Sequence, residues 1–221
     1  MQAALLLAVI ALVSTLAITR LSPSPGHVAK PGDPSDAPSI PNHLAHNIVL
    51  IIRHAEKPAS GPGLSPVGQA RAQAYTSFFH PFADASPAIP PFTVDALFPV
   101  DALYADADSP RSARPRLTLE PLSRLLHLPI DSSIGTSDSA GLVRHLQREP
   151  HGARPLLCWR HRELPLLLRA LGADPDLLLP EGKWPIEDFD SIALLTFDGK
   201  GRLATQQLLR PNLPLTPNTA T

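Results

Sequence analysis

Two arginine–histidine pairs stand at the ends of apolar runs. Arg53 and His54 follow the run NIVLII, and Arg160 and His161 follow the run PLLCW. A neutral imidazole is a competent nucleophile toward phosphorus. A guanidinium offers a planar fork of N–H donors that matches phosphate oxygens. The two pairs therefore indicate phosphoryl-transfer chemistry.

Short apolar runs predict buried strands, and in an open α/β sheet ligands bind beyond the carboxyl ends of the strands. If the two strands are neighbours, the two imidazoles meet at one edge of the sheet. A third predicted strand, DALYA, leads toward further arginines: Arg111, Arg114 and Arg116. We expect both histidines and at least two arginines to share a cleft. Its walls would be the loops at residues 58–63, 83–99 and 131–140.

The segment SPVGQARAQAYTSFF predicts a helix that Ser65 caps and Pro66 begins. Spacings of three and four residues mark one of its faces: Val67, Ala70, Ala74 and Phe78. RPRLTLEPLSRLLHL and AGLVRHLQRE predict two more helices, and a helix after the second pair stops at Gly172. The segment SIALLTFDGKGRLATQQLL predicts a hairpin that turns at Asp198-Gly199. Alternating strands and helices predict an α/β three-layer sandwich with a mainly parallel central sheet.

We place the predicted α/β domain at residues 47–213. The segments on either side of it differ from it in composition. Residues 1–20 are almost entirely apolar, which predicts a membrane anchor, favoured over a cleaved signal peptide. Residues 21–46 are rich in Pro, Ser and Gly and predict a stiff linker. Residues 214–221 predict a disordered tail. The expected location is membrane-anchored or exported, and the side of the membrane stays open.

Composition excludes several other classes of protein. The chain of 221 residues has a net charge of −1, and no basic stripe indicates a nucleic-acid partner. The single Cys158 excludes an intrachain disulfide and a cysteine-based zinc site, and no His-Glu-x-x-His motif is present. A cysteine phosphatase loop fails because Leu164 stands where arginine is needed. The segment GLSPVG fails as a serine hydrolase elbow. We expect no metal or cofactor, and the oligomeric state is not indicated.

The segments RHAEK and LSPVGQARA resemble the signature of the histidine phosphatase superfamily, the phosphoglycerate mutase-like proteins. That family has a second arginine four residues before a threonine on a helix, which Arg114 and Thr118 match. Its second histidine follows a later apolar strand, which His161 matches. The resemblance extends from Ile48 to about Gly172.

The resemblance implies a metal-independent phosphatase with a phosphoglycerate mutase-like fold and a phosphorylated small-molecule substrate. His54 would attack phosphorus and form a phosphohistidine, which water would hydrolyse. Arg53 and Arg114 would clamp the phosphoryl oxygens, and His161 would complete the positive pocket. Two further residues are candidates for binding substrate: Lys57 and Arg160. An ion pair or a packing role suits Arg160 better than a third clamp, and Glu56 and Lys57 are expected to pair with neighbouring loops.

The proton donor for the leaving group is not fixed by the resemblance. In one branch of the family the donor directly follows the second histidine, but Arg162 stands there. Three carboxylates remain candidates: Glu163, which we assign to catalysis, Asp131 and Asp138. Without a donor, good leaving groups such as phosphohistidine or an acid anhydride would suit the site better. Two alternatives follow: a phosphohistidine-protein phosphatase, and a catalytically idle phospholigand-binding domain at a membrane.

Overall fold

The computed structural model describes residues 42–79 and 100–215. The predicted anchor, most of the predicted linker and the predicted loop at residues 83–99 lie outside the described residues. No helix in the described ranges is long and apolar enough to cross a membrane. The elements are β1 Ile48–Arg53, α1 Pro66–Phe79, β2 Ala102–Ala105, α2 Arg114–Leu126, β3 Ile130–Asp131, α3 Ser139–Arg148, β4 Pro155–Trp159, α4 Leu164–Ala170, α5 Pro175–Leu178, a 3₁₀ turn Pro180–Gly182, β5 Ile192–Phe197 and β6 Leu203–Leu209.

The strands form one mixed sheet in the order β3-β2-β4-β1-β5-β6. The first four strands of that order run parallel, and the β5–β6 hairpin joins β1 antiparallel. The predicted mainly parallel sheet is confirmed. Because β1 pairs directly with β4, with Arg53 opposite Trp159, the two arginine–histidine pairs leave the same edge of the sheet. The His54 amide donates to the Trp159 carbonyl at 3.1 Å and continues this pairing.

Both faces of the sheet are covered, which is why β1 is apolar from Ile48 to Ile52. Val49 and Ile51 point into a core shared with α3 and α4. Leu50 and Ile52 point into a second core, shared with α1 and α2. All four of these β1 side chains are fully buried, and each such burial stabilises the fold by about 1.5–3 kcal/mol. Helix, sheet and helix therefore form the predicted three-layer sandwich.

Helix α1 begins as predicted, and only part of its predicted face is buried. The Ser65 hydroxyl accepts from the Gly68 amide at 3.0 Å, so Ser65 caps the helix. Of the predicted apolar face, Ala70 is buried and Phe78 packs against the core, but Val67 is 51% exposed. The buried residues of the helix are Gly68, Ala70, Arg71, Ala72, Tyr75, Thr76 and Phe79. A side chain at residue 68 would overlap the backbone of Glu56, so the bare glycine backbone, and not Val67, faces the segment after β1.

The predicted hairpin between β5 and β6 is confirmed, and its turn is wider than Asp198-Gly199. Residues 198–202 all lie between the two strands. The Asp198 carboxylate accepts from the Lys200 amide at 2.8 Å and from the Arg202 amide at 2.9 Å. Gly201 takes the left-handed backbone conformation, with φ +71°. The aspartate thus organises a wider loop, and the glycine that this loop needs is the second one. By contrast Gly172 follows α4 with φ +87°, as a helix stop requires.

Candidate active site

A cavity of about 590 Å³ opens at the carboxyl ends of β1 and β4. The residues assigned to catalysis or substrate binding all border this cavity: Arg53, His54, Lys57, Arg114, Arg160, His161 and Glu163. Glu56 borders it too, and so does Thr136, which belongs to the predicted wall at residues 131–140. Four further residues border it that the sequence did not indicate: Arg162, Ile186, Glu187 and Phe189. Arg116 lies elsewhere, since its guanidinium pairs with Asp108 at 2.8 Å and with Glu120.

His54 is held as a neutral imidazole with one nitrogen available. The side chain is 5% exposed, and Nδ1 lies 2.7 Å from the Ala55 carbonyl oxygen. A carbonyl only accepts, so Nδ1 carries the proton and Nε2 keeps its lone pair. Burial is the main cause that lowers the pKa of His54 to about 4; Arg53, Arg114 and His161 act in the same direction, and the hydrogen bond with Ala55 opposes it. Near neutral pH the imidazole is therefore uncharged.

Arg53 is a buried cation that is hydrogen-bonded through Nη1. Its Nη1 donates to the carbonyl oxygens of three loop residues: Pro185 at 3.2 Å, Ile186, and Asp188 at 3.4 Å. Its guanidinium carbon lies 3.7 Å from the centroid of the Phe189 ring. Its Nε is buried and has no hydrogen-bond partner among the described residues. Burial lowers the pKa of Arg53 to about 10, which still leaves it charged near pH 7.

Arg114 supplies a second unpartnered nitrogen. It is the first residue of α2, its Nη1 donates to the Gly61 carbonyl at 3.4 Å, and its buried Nε finds no partner in the described ranges. Burial lowers the pKa of Arg114, and Arg160 acts in the same direction. The Thr118 hydroxyl donates to the Arg114 carbonyl at 2.8 Å and accepts from the Ala55 amide at 2.9 Å. The threonine of the Arg-x-x-x-Thr pattern thus ties α2 to the residue after His54.

His161 and Arg160 follow β4 and differ in role. Burial, and then the nearby Arg53 and Arg162, lower the pKa of His161 to about 4. Arg160 pairs through Nε with the buried Asp106 carboxylate at 3.1 Å. Its other nitrogens donate to the Thr136 hydroxyl at 2.5 Å and the Ala107 carbonyl at 3.0 Å. The structure therefore places Arg160 at the cavity as an ion-paired residue.

Two of the three candidate proton donors lie away from the cavity. The Asp138 carboxylate caps α3 by accepting from the Gly141 amide at 2.7 Å. The Asp131 carboxylate accepts from the Ser133 amide at 2.9 Å and lies 3.4 Å from His145 Nε2. Neither borders the cavity.

Three carboxylates do border it: Glu56, Glu163 and Glu187. Glu56 was expected to pair with a neighbouring loop, but it forms a two-nitrogen ion pair with Arg71 of α1, at 2.8 and 2.9 Å. That leaves Glu163 and Glu187 as carboxyls that could exchange a proton with a bound substrate. Glu187 is the acidic residue whose charge acts most strongly on Arg53.

Sequence reasoning missed the wall formed by Ile186, Glu187 and Phe189. These residues belong to the segment KWPIEDFDS between the 3₁₀ turn and β5. The only signal was composition, a tryptophan and a phenylalanine among acidic residues, because an irregular loop has no periodicity to read. Of the predicted walls, the loop at residues 58–63 contributes the Gly61 carbonyl that binds Arg114, and the loop at residues 131–140 contributes Thr136.

No protein-family model matches this sequence, and no curated protein matches it. Among solved structures, the putative phosphohistidine phosphatase SixA from Agrobacterium tumefaciens is 20% identical, with a TM-score of 0.47 over 75% of this chain and 99% of that one. The protein histidine phosphatase SixA complexed with tungstate is 17% identical, with a TM-score of 0.48 over 76% of this chain and 99% of that one.

Phosphoglycerate mutase from Plasmodium falciparum is 15% identical, with a TM-score of 0.46 over 80% of this chain and 98% of that one. Histidine phosphatases and phosphoglycerate mutases are the proteins whose signature RHAEK and LSPVGQARA resemble. The function proposed below rests on the geometry of the cavity.

The low pKa of His54 makes the stability of the fold depend on pH. The pKa is about 4 in the folded chain and about 6.5 in the unfolded chain. Between these values the unfolded state binds more protons, so the free energy of unfolding falls as pH drops below 6.5. Between pH 7 and pH 4.5 the free energy of unfolding should fall by about 2–3 kcal/mol less in His54→Asn than in the wild type. Urea unfolding at the two pH values measures this difference.

The matched control is His127→Asn, since His127 is exposed and its φ of +55° suits asparagine. This variant should keep the pH dependence of the wild type. An equal loss in His54→Asn and the wild type would show that His54 is not buried as a neutral group.

Proposed function

We propose that this protein is a phosphatase that hydrolyses a phosphomonoester through a phosphohistidine intermediate on His54. One observation carries the proposal. A neutral imidazole with a free Nε2 borders the same cavity as two arginines, Arg53 and Arg114, whose buried Nε atoms have no partner among the described residues. A buried donor without an acceptor costs about 1–3 kcal/mol, so such a pocket favours an oxyanion.

In the first step the phosphoryl oxygens accept hydrogen bonds from Arg53 and Arg114, and His54 Nε2 attacks phosphorus. The N–P bond forms while the bond to the ester oxygen breaks, and the departing oxygen takes a proton from a carboxyl group. Phosphorylation places positive charge on the imidazole ring. The Ala55 carbonyl, which accepts from Nδ1 at 2.7 Å, is already placed to stabilise that charge.

In the second step water attacks phosphorus and gives its proton to the same carboxylate. The N–P bond breaks, its electrons return to Nε2, and inorganic phosphate leaves. Both steps pass through a phosphoryl group whose charge is spread over its outer oxygens. The fixed guanidinium donors stabilise that charge without reorganising, which is where such a pocket lowers the barrier.

The first prediction concerns the intermediate. When the full chain is mixed with a reactive aryl phosphate and quenched in alkali, the phosphoryl label should map to His54. His54→Ala should give no label and no phosphate release while keeping the circular dichroism of the wild type. Turnover in His54→Ala would remove the mechanism. Absence of label in the wild type together with tight phosphate binding would favour an idle phospholigand-binding domain.

The second prediction compares two arginines on the same helix. Arg114→Ala should lower kcat by about 10²–10³-fold, because it removes a donor to the transferring phosphoryl group. Arg116→Ala is the control, since Arg116 is bonded to Asp108 and Glu120 outside the cavity. It should change kcat by less than about threefold, as expected for a partly exposed ion pair. Equal losses in the two variants would contradict the role given to Arg114.

The third prediction identifies the proton donor by its dependence on the leaving group. Glu163→Gln and Glu187→Gln are compared on an alkyl phosphate and on p-nitrophenyl phosphate, whose leaving group needs little protonation. The variant that lacks the donor should lose about 10²-fold or more on the alkyl ester and little on the aryl ester. If both variants keep alkyl phosphatase activity, neither carboxyl is the donor. If the wild type has no alkyl phosphatase activity, the substrate is a compound with a good leaving group, such as phosphohistidine in a protein.

A further inference from the structure

We propose that Phe189 is a positioning residue that orients Arg53 toward the phosphoryl group. The inference rests on the proposed function, in which Arg53 binds that group, and it assigns a task to the segment Trp184–Asp190, which we term the 184–190 loop. This loop carries no residue of the RHAEK or LSPVGQARA segments.

The loop occupies one nitrogen and one face of the Arg53 guanidinium. Three loop carbonyls, those of Pro185, Ile186 and Asp188, accept from Nη1. The Phe189 ring covers the flat face, with its centroid 3.7 Å from the guanidinium carbon. A planar group fixed at one nitrogen and one face has little rotational freedom. The guanidinium of this cavity-lining residue, and with it the unpartnered Nε, is thereby held in one orientation.

Hydrogen bonds from three side chains hold residues 188 and 189 of the 184–190 loop in place. The buried Trp184 donates from Nε1 to the Asp188 carbonyl at 2.9 Å. The Ser191 hydroxyl donates to the Asp188 carboxylate at 2.6 Å. The buried Tyr75 of α1 donates from its hydroxyl to the Phe189 carbonyl at 3.1 Å. Phe189 is therefore presented to Arg53 by a braced backbone.

Arg71 joins this loop to the nucleophile. Its Nη1 lies 3.0 Å from the Asp190 carboxylate, at the end of the loop. Its Nη2 lies 2.8 Å from the carboxylate of Glu56, two residues after His54. One buried guanidinium on α1 therefore sets the distance between the segment that carries His54 and the loop that carries Phe189.

An aromatic ring suits this place because it stabilises a cation without neutralising it. The negative face of the ring attracts the guanidinium, an interaction of about 0.5–2 kcal/mol. Leucine at residue 189 would keep apolar bulk and lose that attraction. At 1.4 kcal/mol per factor of ten, the loss corresponds to about 2–30-fold in oxyanion affinity.

The experiment uses the full chain and compares Phe189→Leu with Phe189→Tyr, which keeps the aromatic face. Inorganic phosphate is the probe, as a competitive inhibitor of aryl phosphate hydrolysis. Phe189→Leu should raise the inhibition constant of phosphate and lower kcat/KM by about 2–30-fold, and Phe189→Tyr should stay within about twofold of the wild type. The matched control is Phe78→Leu, because Phe78 packs edge-on against Phe79 away from the cavity. It should leave phosphate inhibition unchanged.

A double-mutant cycle with Arg53→Ala then separates positioning from direct contact. If Phe189 acts through Arg53, Phe189→Leu should cost less than about twofold once Arg53 is alanine. The same loss in both backgrounds would overturn the inference and make Phe189 a direct substrate contact. Wild-type phosphate inhibition in Phe189→Leu would overturn it as well. These results differ from a failure of the proposed function, in which the wild type itself forms no phosphoenzyme on His54.

Should Arg53→Ala fail to fold, Arg53→Gln, which also removes the cation, replaces it in the cycle. A readout independent of activity is the NMR resonance of the Arg53 Nε–H, which the Phe189 ring should displace from its ordinary position. The displacement should persist in Phe189→Tyr and disappear in Phe189→Leu. An Nε–H resonance that is the same in all three proteins would show that the ring does not cover the guanidinium in solution, and would overturn the inference.

Discussion

Loss of water around the carboxyl ends of β1 and β4 has opposite consequences for two adjacent side chains. Burial lowers the pKa of His54 to about 4, which makes it neutral under ordinary conditions. Burial also lowers the pKa of Arg53, but only to about 10, so this residue keeps its charge. One physical cause therefore yields a nucleophile with a free lone pair and a cation that can bind an oxyanion. The proposed chemistry depends on this difference between two consecutive residues.

The sheet supplies that arrangement because β1 and β4 are parallel neighbours. Parallel strands deliver their carboxyl ends to one edge, where loops and helix starts converge. Side chains of the helices then hold the segments that follow these strands in position. Thr118 of α2 binds the amide that follows His54, and Arg71 of α1 binds Glu56 and Asp190. Gly68 allows α1 to approach Glu56 closely enough for this contact. The site is thus braced from the helix layer on one side of the sheet.

The sequence predicts the parts of this structure that follow a period or a motif. It predicts the buried strands, the Ser65 cap of α1 and the convergence of the two arginine–histidine pairs. The buried face of α1 is predicted only in part: Ala70 is buried as expected, but Gly68 packs by having no side chain while Val67 faces solvent. The contacts of the 184–190 loop cannot be predicted from the sequence. Its contact with Arg53 joins residues more than 130 positions apart in a segment without periodicity, so only the folded chain brings them together.

The surroundings of Arg53 explain how a chain with a net charge of −1 can present a positive cavity. Three of the nearby carboxylates are bonded elsewhere: Glu56 and Asp190 to Arg71, and Asp188 to Ser191. The carboxylate of Glu187, whose charge acts most strongly on Arg53, borders the cavity itself. What contacts Arg53 directly is a set of carbonyl oxygens and the Phe189 ring, which lower the cost of burying a cation but carry no net charge. A carboxylate in their place would have cancelled the positive charge that an oxyanion needs. Carbonyl and aromatic partners instead hold the guanidinium in position and leave its charge for the ligand.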